Sequence, residues 1–174
     1  MKETDIIKIL KNDGVGVIPT DTLYGLVGSA FSKKAIKRIY KIKNRDKNKK
    51  LIVLISSLKD LEKFKIKINK EEAKILEKFW PGKVSIVIKN IAFRLPNKKV
   101  LIDLIKNVGP LVAPSANIEG EKPPENIKEA RRYFGNNVDF YLAGGTLKSE
   151  PSTLLKIENG KIEILRQETI KIKK

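Results

Sequence analysis

The sequence predicts an α/β fold in which helices flank a twisted sheet of mixed parallel and antiparallel strands. Apolar residues repeat at helical spacing over Lys33–Lys43, as they do in an amphipathic helix. Leu51–Ile55 is apolar throughout, which is typical of a strand buried on both faces of a parallel or mixed sheet. Asn159-Gly160 separates Thr153–Glu158 from Lys161–Arg166, and this dipeptide is a strong signal for a type I′ hairpin turn. We therefore expect a hairpin at one edge of a sheet that also contains buried strands.

The other elements follow the same rules along the chain. A first helix is expected between a cap at Thr4 and an end at Gly14. Further helices are predicted over Leu58–Phe64, Glu71–Trp80 (capped by Asn69), Val100–Ile105 and Ile127–Phe134. Further strands are predicted over Val15–Ile18, Val84–Lys89, Ala92–Leu95, Leu111–Ala113 and Asp139–Leu142. No linker or repeat interrupts this order, so residues 1–174 are expected to form one domain.

Charge and residue counts narrow the possible chemistry. Among 174 residues there are 37 Lys and Arg against 20 Asp and Glu, a formal net charge of +17. This excess fits a nucleic-acid partner or a pocket for a polyanionic ligand, although only six of these residues are arginine and lysine richness also follows from genome composition. The chain has no cysteine and no histidine, so disulfides and thiolate metal sites are excluded and the commonest general base is absent. Any catalysis must rely on positioning, cations and hydroxyl groups.

No segment of the sequence predicts membrane insertion. No apolar run approaches the roughly 20 residues that cross a bilayer. Met1–Asp5 begins an amphipathic helix rather than a signal peptide. We expect the protein to act in the cytoplasm.

The first group of candidate ligand-binding side chains follows the strand that begins at Val15. That strand should end at Pro19, which cannot extend a ladder, and Thr20, Asp21 and Thr22 come directly after it. Open α/β sheets bind small ligands at the carboxyl ends of their strands. Threonine and aspartate also cap helices well, so a helix cap is the alternative interpretation.

Two further segments carry polar side chains two residues apart. Lys43 and Arg45 follow a predicted helix, and in an extended loop both would project to the same side and clamp phosphates. The alternative is a solvated, lysine-rich helix end that complements the helix dipole. Ser115 and Asn117 follow a predicted strand and offer a hydroxyl and an amide to phosphate or ribose, although this spacing is also ordinary turn chemistry. The chain contains no Gly-x-x-x-x-Gly-Lys-Ser/Thr motif, so a bound nucleotide would depend on Lys and Arg side chains and loop amides.

The three segments Pro-Thr-Asp-Thr-Leu-Tyr-Gly-Leu, Lys-x-Arg and Pro-Ser-Ala-Asn occur in the order typical of the YrdC-type family of threonylcarbamoyl-AMP synthases, which the chain resembles. Phe79-Trp80-Pro81-Gly82, Phe93-Arg94-Leu95-Pro96 and Pro151-Ser152-Thr153 fall where that family has similar sequences. The resemblance extends from Val15 to Arg166 and implies a YrdC-like fold with a basic, concave ligand cavity. The chain stops soon after Arg166, so it resembles the short family members without an additional C-terminal domain.

The resemblance implies a role for each matching residue. The nucleotide would be bound by Lys43, Arg45, Lys49, Ser115, Asn117, Pro123 and Arg166, and Lys43 and Arg45 would also be catalytic. Threonine would be bound by Thr20, Thr22, Tyr24, Arg94, Ala113 and Ser152, with Arg94 paired to its carboxylate. The resemblance implies no metal site on the protein, because Mg²⁺ would be held through the phosphates of ATP. An alternative interpretation of Arg166 is a surface ion pair with Glu163 or Glu168.

The reaction that the resemblance implies has two stages. L-Threonine and bicarbonate form a carbamate, and the carboxylate of this carbamate attacks the α-phosphorus of ATP, which releases pyrophosphate and leaves threonylcarbamoyl-AMP. Positioning and cations can drive such a step, which suits a chain without histidine. The implied partners are tRNA, modified at adenosine 37, and a separate threonylcarbamoyl-transferase complex.

Three positions depart from the family pattern. Asp46 stands where many relatives have proline, and Lys83 stands where proline is commoner. Leu54 lies near the position of a histidine that contacts threonine in several relatives. This last departure puts the selectivity for threonine in question.

Two other functions compete with this interpretation. A non-catalytic module that binds tRNA or double-stranded RNA through its phosphates would account for the charge and would lose affinity steeply with salt. Trp80, however, is interpreted as a core aromatic rather than a base-stacking residue. A carbamoyl-adenylate enzyme domain is the second competitor, but it belongs to longer chains with zinc-binding cysteines, which this sequence lacks.

Overall fold

Nine strands within the described residues form one mixed sheet. The computed structural model describes residues 1–158 and 160–172. The strands are β1 (Val15–Pro19), β2 (Tyr24–Ser29), β3 (Ile52–Leu54), β4 (Val84–Ile88), β5 (Ile91–Arg94), β6 (Leu111–Val112), β7 (Phe140–Tyr141), β8 (Thr153–Glu158) and β9 (Lys161–Arg166). Their order across the sheet is β7-β1-β2-β6-β3-β5-β4-β8-β9. The pairs β1–β7, β3–β5 and β4–β8 are parallel, and the other neighbours are antiparallel.

One helix precedes the first strand, and the others lie in the longer connections between strands. The helices are α1 (Glu3–Lys11), α2 (Lys33–Lys43), a 3₁₀ helix (Leu58–Phe64), α3 (Lys70–Glu77), α4 (Lys99–Val108) and α5 (Ile127–Phe134). Polar caps fix three of the starts: the side chains of Ser32, Asn69 and Asn126 each accept a hydrogen bond from a main-chain amide three residues on. None of the helices in the described part of the chain is both long and apolar enough to cross a membrane.

Different helices pack on the two faces of the sheet. On one face, Ala35 and Ile39 of α2 pack with Val17 and Leu26 in the larger hydrophobic cluster. A Cβ at Gly28 would lie 3.0 Å from the Cβ of Ala35, so glycine lets α2 approach β2 closely. On the other face, α1 and α4 pack against the first five strands of the sheet order in a second cluster, which includes Ile6, Leu10, Ile18, Val27, Leu54, Leu101, Leu104, Ile105 and Leu111.

Much of this architecture confirms the prediction from the sequence. The mixed sheet is present, and α2, the 3₁₀ helix, α5, β8 and β9 have the predicted bounds. Trp80 is a core residue, 6% exposed, and its Nε1 donates a hydrogen bond of 2.7 Å to the Val84 carbonyl. The two strands of the predicted hairpin pair in the expected register, with Glu158 opposite Lys161, while Asn159 itself lies outside the described residues.

Two local predictions were wrong. The helix α1 begins at Glu3, so Thr4 lies inside its first turn and does not cap it. The strand β2 was missed, because its glycines and the polar residues before it suggested a loop. The alternative interpretation of Thr20 and Asp21 as a helix cap is excluded, because both residues lie in the tight turn that joins β1 to the antiparallel β2.

Candidate active site

A cavity of about 510 Å³ lies on the part of the sheet that α4 leaves open. On this face the second hydrophobic cluster reaches β3 and β6 but, within the described residues, takes in none from β4, β5, β8 or β9. Side chains alternate across these strands: Phe93, Leu155 and Ile157 point into the larger core, whereas Ala92, Arg94, Leu154 and Lys156 line the cavity. The volume falls in the range typical of small-molecule sites, about 300–1,000 Å³.

One part of the cavity, which we call the Arg94 pocket, is formed by Thr20, Thr22, Arg94 and Ser152. All four residues are buried, with exposed fractions of 2–4%. They are brought together from three places in the chain: the β1–β2 turn, the end of β5 and the start of β8. Leu23, Tyr24, Gly25, Ala113 and Pro114 complete the wall beside them.

Hydrogen bonds hold the β1–β2 turn in one conformation. The Thr20 hydroxyl donates to the Leu23 carbonyl at 2.7 Å and accepts from the Thr22 amide at 3.1 Å. The ammonium of Lys98 lies 3.3 Å from each of the carbonyl oxygens of Pro19 and Thr20 and donates to both. Because these contacts satisfy the main chain locally, the two threonine side chains are held at the cavity wall.

Arg94 and Asp21 form a buried ion pair at the base of the Arg94 pocket. Arg94 Nη2 lies 3.0 Å from Asp21 Oδ1, and each side chain is 5% exposed. Burial lowers the pKa of the Arg94 guanidinium below its usual value, and the charge of Asp21 opposes this shift. The pair is poorly aligned, since neither Arg94 Nε nor Asp21 Oδ1 has a hydrogen-bond partner within the described residues. A buried guanidinium with a free N–H group can bind a carboxylate ligand by donating a hydrogen bond to it.

Ser152 is fixed from both sides. Its hydroxyl is 2.8 Å from that of Ser85, a buried residue of β4. Its carbonyl accepts a hydrogen bond of 2.8 Å from Arg166 Nη2. Arg166 also lies 3.9 Å from Glu168, which is the weaker of its two contacts. The ion pair considered from the sequence is therefore present, but Arg166 also lines the cavity.

A second part of the cavity wall, which we call the cationic rim, is formed by Arg45, Lys50, Lys156 and Arg166. These side chains are more exposed than those of the Arg94 pocket; Lys50 and Arg166 are exposed, and the other two are half-buried. Arg45 donates to the carbonyl oxygens of Lys49 and Lys50, which closes the loop between α2 and β3 around the guanidinium. Together with Arg94, the rim places five cations and no carboxylate among the described lining residues.

Lys43 occupies a different position from the predicted one. It is the last residue of α2, followed by Asn44 in the left-handed conformation (φ 50°), so Lys43 and Arg45 do not share one side of an extended loop. Its side chain is 1% exposed and does not line the cavity. The ammonium donates to the carbonyl oxygens of Ser115 at 2.6 Å and of Asn117 at 2.5 Å. Burial first and the charge of Arg45 second, opposed by the charge of Glu119, lower the pKa of Lys43 to about 8.

Three other predicted nucleotide-binding residues also lie outside the cavity wall. The amide nitrogen of Asn117 donates to the carbonyl oxygens of Ile118 and Glu121, which folds its loop. Lys49 is exposed and pairs with Glu119 at 2.6 Å. Pro123 is half-buried in the loop before α5. A direct contact between these residues and a nucleotide stays a prediction.

The structure adds cavity residues that the motifs did not suggest. Ile52, Val87, Asn90, Ala92, Leu154 and Leu165 line the open sheet face. Period-two alternation in Ile91–Arg94 and Thr153–Glu158 carried this signal, because residues 92 and 94, or 154 and 156, must share one face. Leu54 is fully buried against the second cluster, on the same sheet face as its parallel neighbour Arg94.

Comparison with known proteins identifies the family. The Sua5/YciO/YrdC family model, described as "Telomere recombination", matches residues 8–168. The chain is 33% identical to a Methanocaldococcus jannaschii protein named "Putative threonylcarbamoyl-AMP synthase", over 96% of this chain and 86% of that one. It is 30% identical to a Mycobacterium tuberculosis protein of the same name, over 86% of this chain and 76% of that one. The chain therefore belongs to the Sua5/YciO/YrdC family.

Solved structures agree with this assignment. The crystal structure of Pyrococcus abyssi Sua5 complexed with L-threonine is similar with a TM-score of 0.85 and 26% sequence identity, over 95% of this chain. The present chain spans about half of that protein, 54% of its length. Escherichia coli YciO shares the fold, with a TM-score of 0.84 over 95% of this chain and 88% of that one, at 20% identity.

Proposed function

We propose that the protein is an ATP-dependent threonylcarbamoyl-AMP synthase, a nucleotidyltransferase that acts on L-threonine, bicarbonate and ATP. The observation that carries this proposal is the cavity-facing guanidinium of Arg94, which is 4% exposed and surrounded by hydroxyl groups, in the same cavity as the cationic rim. The names of the relatives from M. jannaschii and M. tuberculosis, and the threonine complex of the P. abyssi protein, support the same activity.

The Arg94 pocket suits a small hydroxy amino acid. A carboxylate ligand would pair with the guanidinium, while Thr20, Thr22 and Ser152 can hydrogen-bond to the ligand's amine and hydroxyl. Ala113 lies in the wall beside them, and its methyl group would contact the ligand's carbon atoms. The pocket thus offers charge, hydrogen bonds and apolar contact within a few ångströms, as specificity for a polar metabolite requires.

The cationic rim suits a triphosphate. Arg45, Lys50, Lys156 and Arg166 can neutralise phosphate oxygens, and the Ser115 hydroxyl in the adjoining wall can donate to phosphate or ribose. Within the described residues, no three His, Cys, Asp or Glu side chains lie close enough together to hold a metal ion. Mg²⁺ would therefore arrive with the phosphates of ATP as part of the substrate.

The residues present would promote the reaction by positioning and by charge. Condensation of the threonine amine with bicarbonate gives a carbamate and water. A carbamate oxygen then forms a bond to the α-phosphorus while the bond from that phosphorus to the bridging oxygen of pyrophosphate breaks. In-line alignment of these groups and neutralisation of the developing negative charge are what such a transfer requires, and neither needs a histidine.

The product, threonylcarbamoyl-AMP, is a mixed anhydride that must be consumed by an acyl-type transfer. We place this transfer at adenosine 37 of tRNA, carried out in the cytoplasm by a separate threonylcarbamoyl-transferase complex. The net charge of +17 would also favour a transient encounter with tRNA.

The proposal is tested by pyrophosphate release from ATP with the purified protein. We expect release that requires L-threonine and bicarbonate together, and a product that carries carbon from both. Release that ignores threonine, or no release under any combination, would reject the synthase assignment.

A tRNA-binding measurement with the same purified protein tests the competing function. If no pyrophosphate appears while tRNA binds with an affinity that falls steeply from about 50 to 200 mM salt, the protein is a phosphate-binding module of the kind that counterion release describes.

A further inference from the structure

We propose that Lys43 is a positioning residue, whose buried ammonium holds the Pro114–Asn117 loop so that Ser115 faces the nucleotide. This inference rests on the proposed function but concerns a residue that does not reach the cavity. In this interpretation Lys43, the last residue of α2, supports the loop behind the cavity wall and does not bind the phosphates itself.

The contacts of Lys43 all lead to one loop. Its ammonium donates to the carbonyl oxygens of Ser115 and Asn117, and its own carbonyl accepts from the Glu119 amide at 2.9 Å. An ammonium has three donors and no acceptor, and two of these donors are thus used by the loop. A long, flexible side chain is fully immobilised here, which is costly in entropy and indicates a fixed purpose.

The opposite side of the loop is tied to β2. The Ala116 amide donates to the Tyr24 carbonyl at 2.8 Å, and the Pro114 carbonyl accepts from the Leu26 amide at 2.9 Å. These bonds fix the start of the loop, whereas Lys43 fixes its far side. The Ser115 side chain, which lines the cavity, therefore lies between two anchors.

The charge of Lys43 has a second effect on an anionic ligand. A carbonyl oxygen carries partial negative charge, and a carbonyl that faced the cavity would repel phosphate. The ammonium engages two such oxygens behind the wall and adds one positive charge close to the site. Without this charge, the same two buried oxygens would lose their partners and the loop would relax toward other conformations.

The position predicts opposite pH dependences for activity and for stability. The pKa of Lys43 is lowered to about 8 by burial first and by the charge of Arg45 second, while Glu119, which binds Lys49 and the Asp46 amide, opposes the shift. Above pH 8 the ammonium loses a proton and its hold on the loop. In the unfolded chain the pKa of a lysine is about 10.4, so between about pH 8 and pH 10.4 the unfolded chain binds more protons than the folded one. The contribution of Lys43 to the free energy of unfolding therefore rises with pH over this interval.

The experiment compares Lys43→Met, Lys43→Arg and Lys41→Met with the wild-type protein. Lys41 is an exposed lysine two residues earlier on the same helix, so its substitution removes an equal charge without touching the loop. We expect Lys43→Met to weaken ATP binding about 10–50-fold, the effect of losing a charged hydrogen-bond donor, and Lys41→Met to leave it unchanged.

Amide hydrogen exchange provides a measurement that needs no substrate. We expect faster exchange in peptides covering residues 114–121 of Lys43→Met and no change in Lys41→Met. This measurement does not depend on catalysis, so it tests the role of Lys43 even if the protein proves not to be a synthase. Unchanged exchange in that segment would overturn the positioning role.

A double-mutant cycle separates positioning from direct contact. If Lys43 acts through Ser115, then Lys43→Met and Ser115→Ala will weaken ATP binding by much less together than the product of their separate factors. Fully multiplicative effects would assign Lys43 to the phosphates instead and reject the proposal.

The arginine variant keeps the inference testable if Lys43→Met does not fold. Arginine stays charged at every accessible pH. We measure the activities of the wild-type protein and of Lys43→Arg at the same pH, so that the substrates are equally protonated in both. We expect the ratio of wild-type to Lys43→Arg activity to fall between pH 7 and 9.5. A ratio that does not change over this range would contradict the proposal.

Discussion

The Arg94 pocket and the cationic rim lie in one cavity but are constructed in different ways. The residues of the Arg94 pocket are 2–4% exposed and are held by side-chain contacts with other buried residues, such as Asp21 and Ser85. The rim consists of half-buried or exposed cations, and Arg45 and Arg166 are held by main-chain carbonyl oxygens. The first part is preorganised by the core, and the second is adjustable.

This difference suits the two ligands that we propose. A small, rigid amino acid is selected by fixed, desolvated partners, because each misplaced hydrogen bond is then costly. A triphosphate carries most of its binding energy in charge, which tolerates mobile, solvated cations and also allows pyrophosphate to leave. Substitutions in the two parts should therefore differ in their effects on stability as well as on affinity.

The largest effect is expected for Arg94→Met. Losing the guanidinium should raise the KM for threonine about 100-fold or more, since a charged hydrogen bond to a carboxylate is removed in a buried site. It should also destabilise the fold by about 3–5 kcal/mol, because Asp21 is left buried and unpaired. Pyrophosphate release and urea unfolding measure the two effects.

The double variant Arg94→Met with Asp21→Asn is the control for that substitution. We expect it to recover most of the lost stability, since both charges are gone, and none of the threonine affinity. If the double variant binds threonine normally, the guanidinium does not bind the substrate carboxylate.

A smaller effect on activity, without a loss of stability, is expected for Arg45→Ala. Removing this rim cation should lower kcat/KM for ATP about 10–100-fold through lost phosphate stabilisation. The free energy of unfolding should change by less than about 1 kcal/mol, as for a partly exposed loop residue. Lys47→Ala, in the same loop but outside the cavity wall, is the matched control. Near-normal turnover of Arg45→Ala would remove Arg45 from the site.

Arg166→Ala is expected to weaken ATP binding about 10-fold, and less at high salt, because its charge is exposed and screened. Lys161→Ala changes another exposed cation, at the other end of β9, and should leave binding unaltered. Titration of ATP at about 50 and 500 mM salt measures both. Equal losses in the two variants would mean that only the net charge of the strand matters.

The smallest effect is expected for Ser115→Ala. One neutral hydrogen bond contributes about 0.5–1.5 kcal/mol, so nucleotide binding should weaken about 5-fold with the KM for threonine unchanged. Isothermal titration with ATP measures the loss. Unchanged ATP affinity would show that this serine shapes a turn and contacts no ligand.

The sequence predicted elements well wherever a local rule was sufficient. The helical spacing of apolar residues located α2, and the Asn159-Gly160 turn signal located β8 and β9 with their bounds. It failed at β2, where two glycines and a preceding polar turn resemble a loop, although β2 pairs with β1 in a regular ladder that sets Val17 opposite Leu26. The segment forms a strand because it pairs with neighbouring strands, and these neighbours are known only from the tertiary structure.

The candidate site shows the same division. Local motifs drew attention to Thr20, Arg45, Arg94, Ser115 and Ser152, all of which the structure brings to one cavity. The same motifs suggested that Lys43 faces the ligand, but the left-handed residue after α2 directs the chain elsewhere and the lysine is buried. A spacing of two residues does not predict that the side chains of Lys43 and Arg45 point the same way, because the helix α2 ends between them.

The sequence by itself determined the charge, the absence of histidine and cysteine, the alternating faces of the strands and the residue types available for chemistry. Only the tertiary structure decided which of these residues meet. Asp21 and Arg94 are 73 positions apart and become a buried pair at 3.0 Å because β1, β2, β6, β3 and β5 lie side by side in one sheet. The cavity itself exists because α4 covers one part of a sheet face and leaves the neighbouring strands open. Such long-range packing follows from burying the apolar faces of all elements at once, which no local pattern can specify.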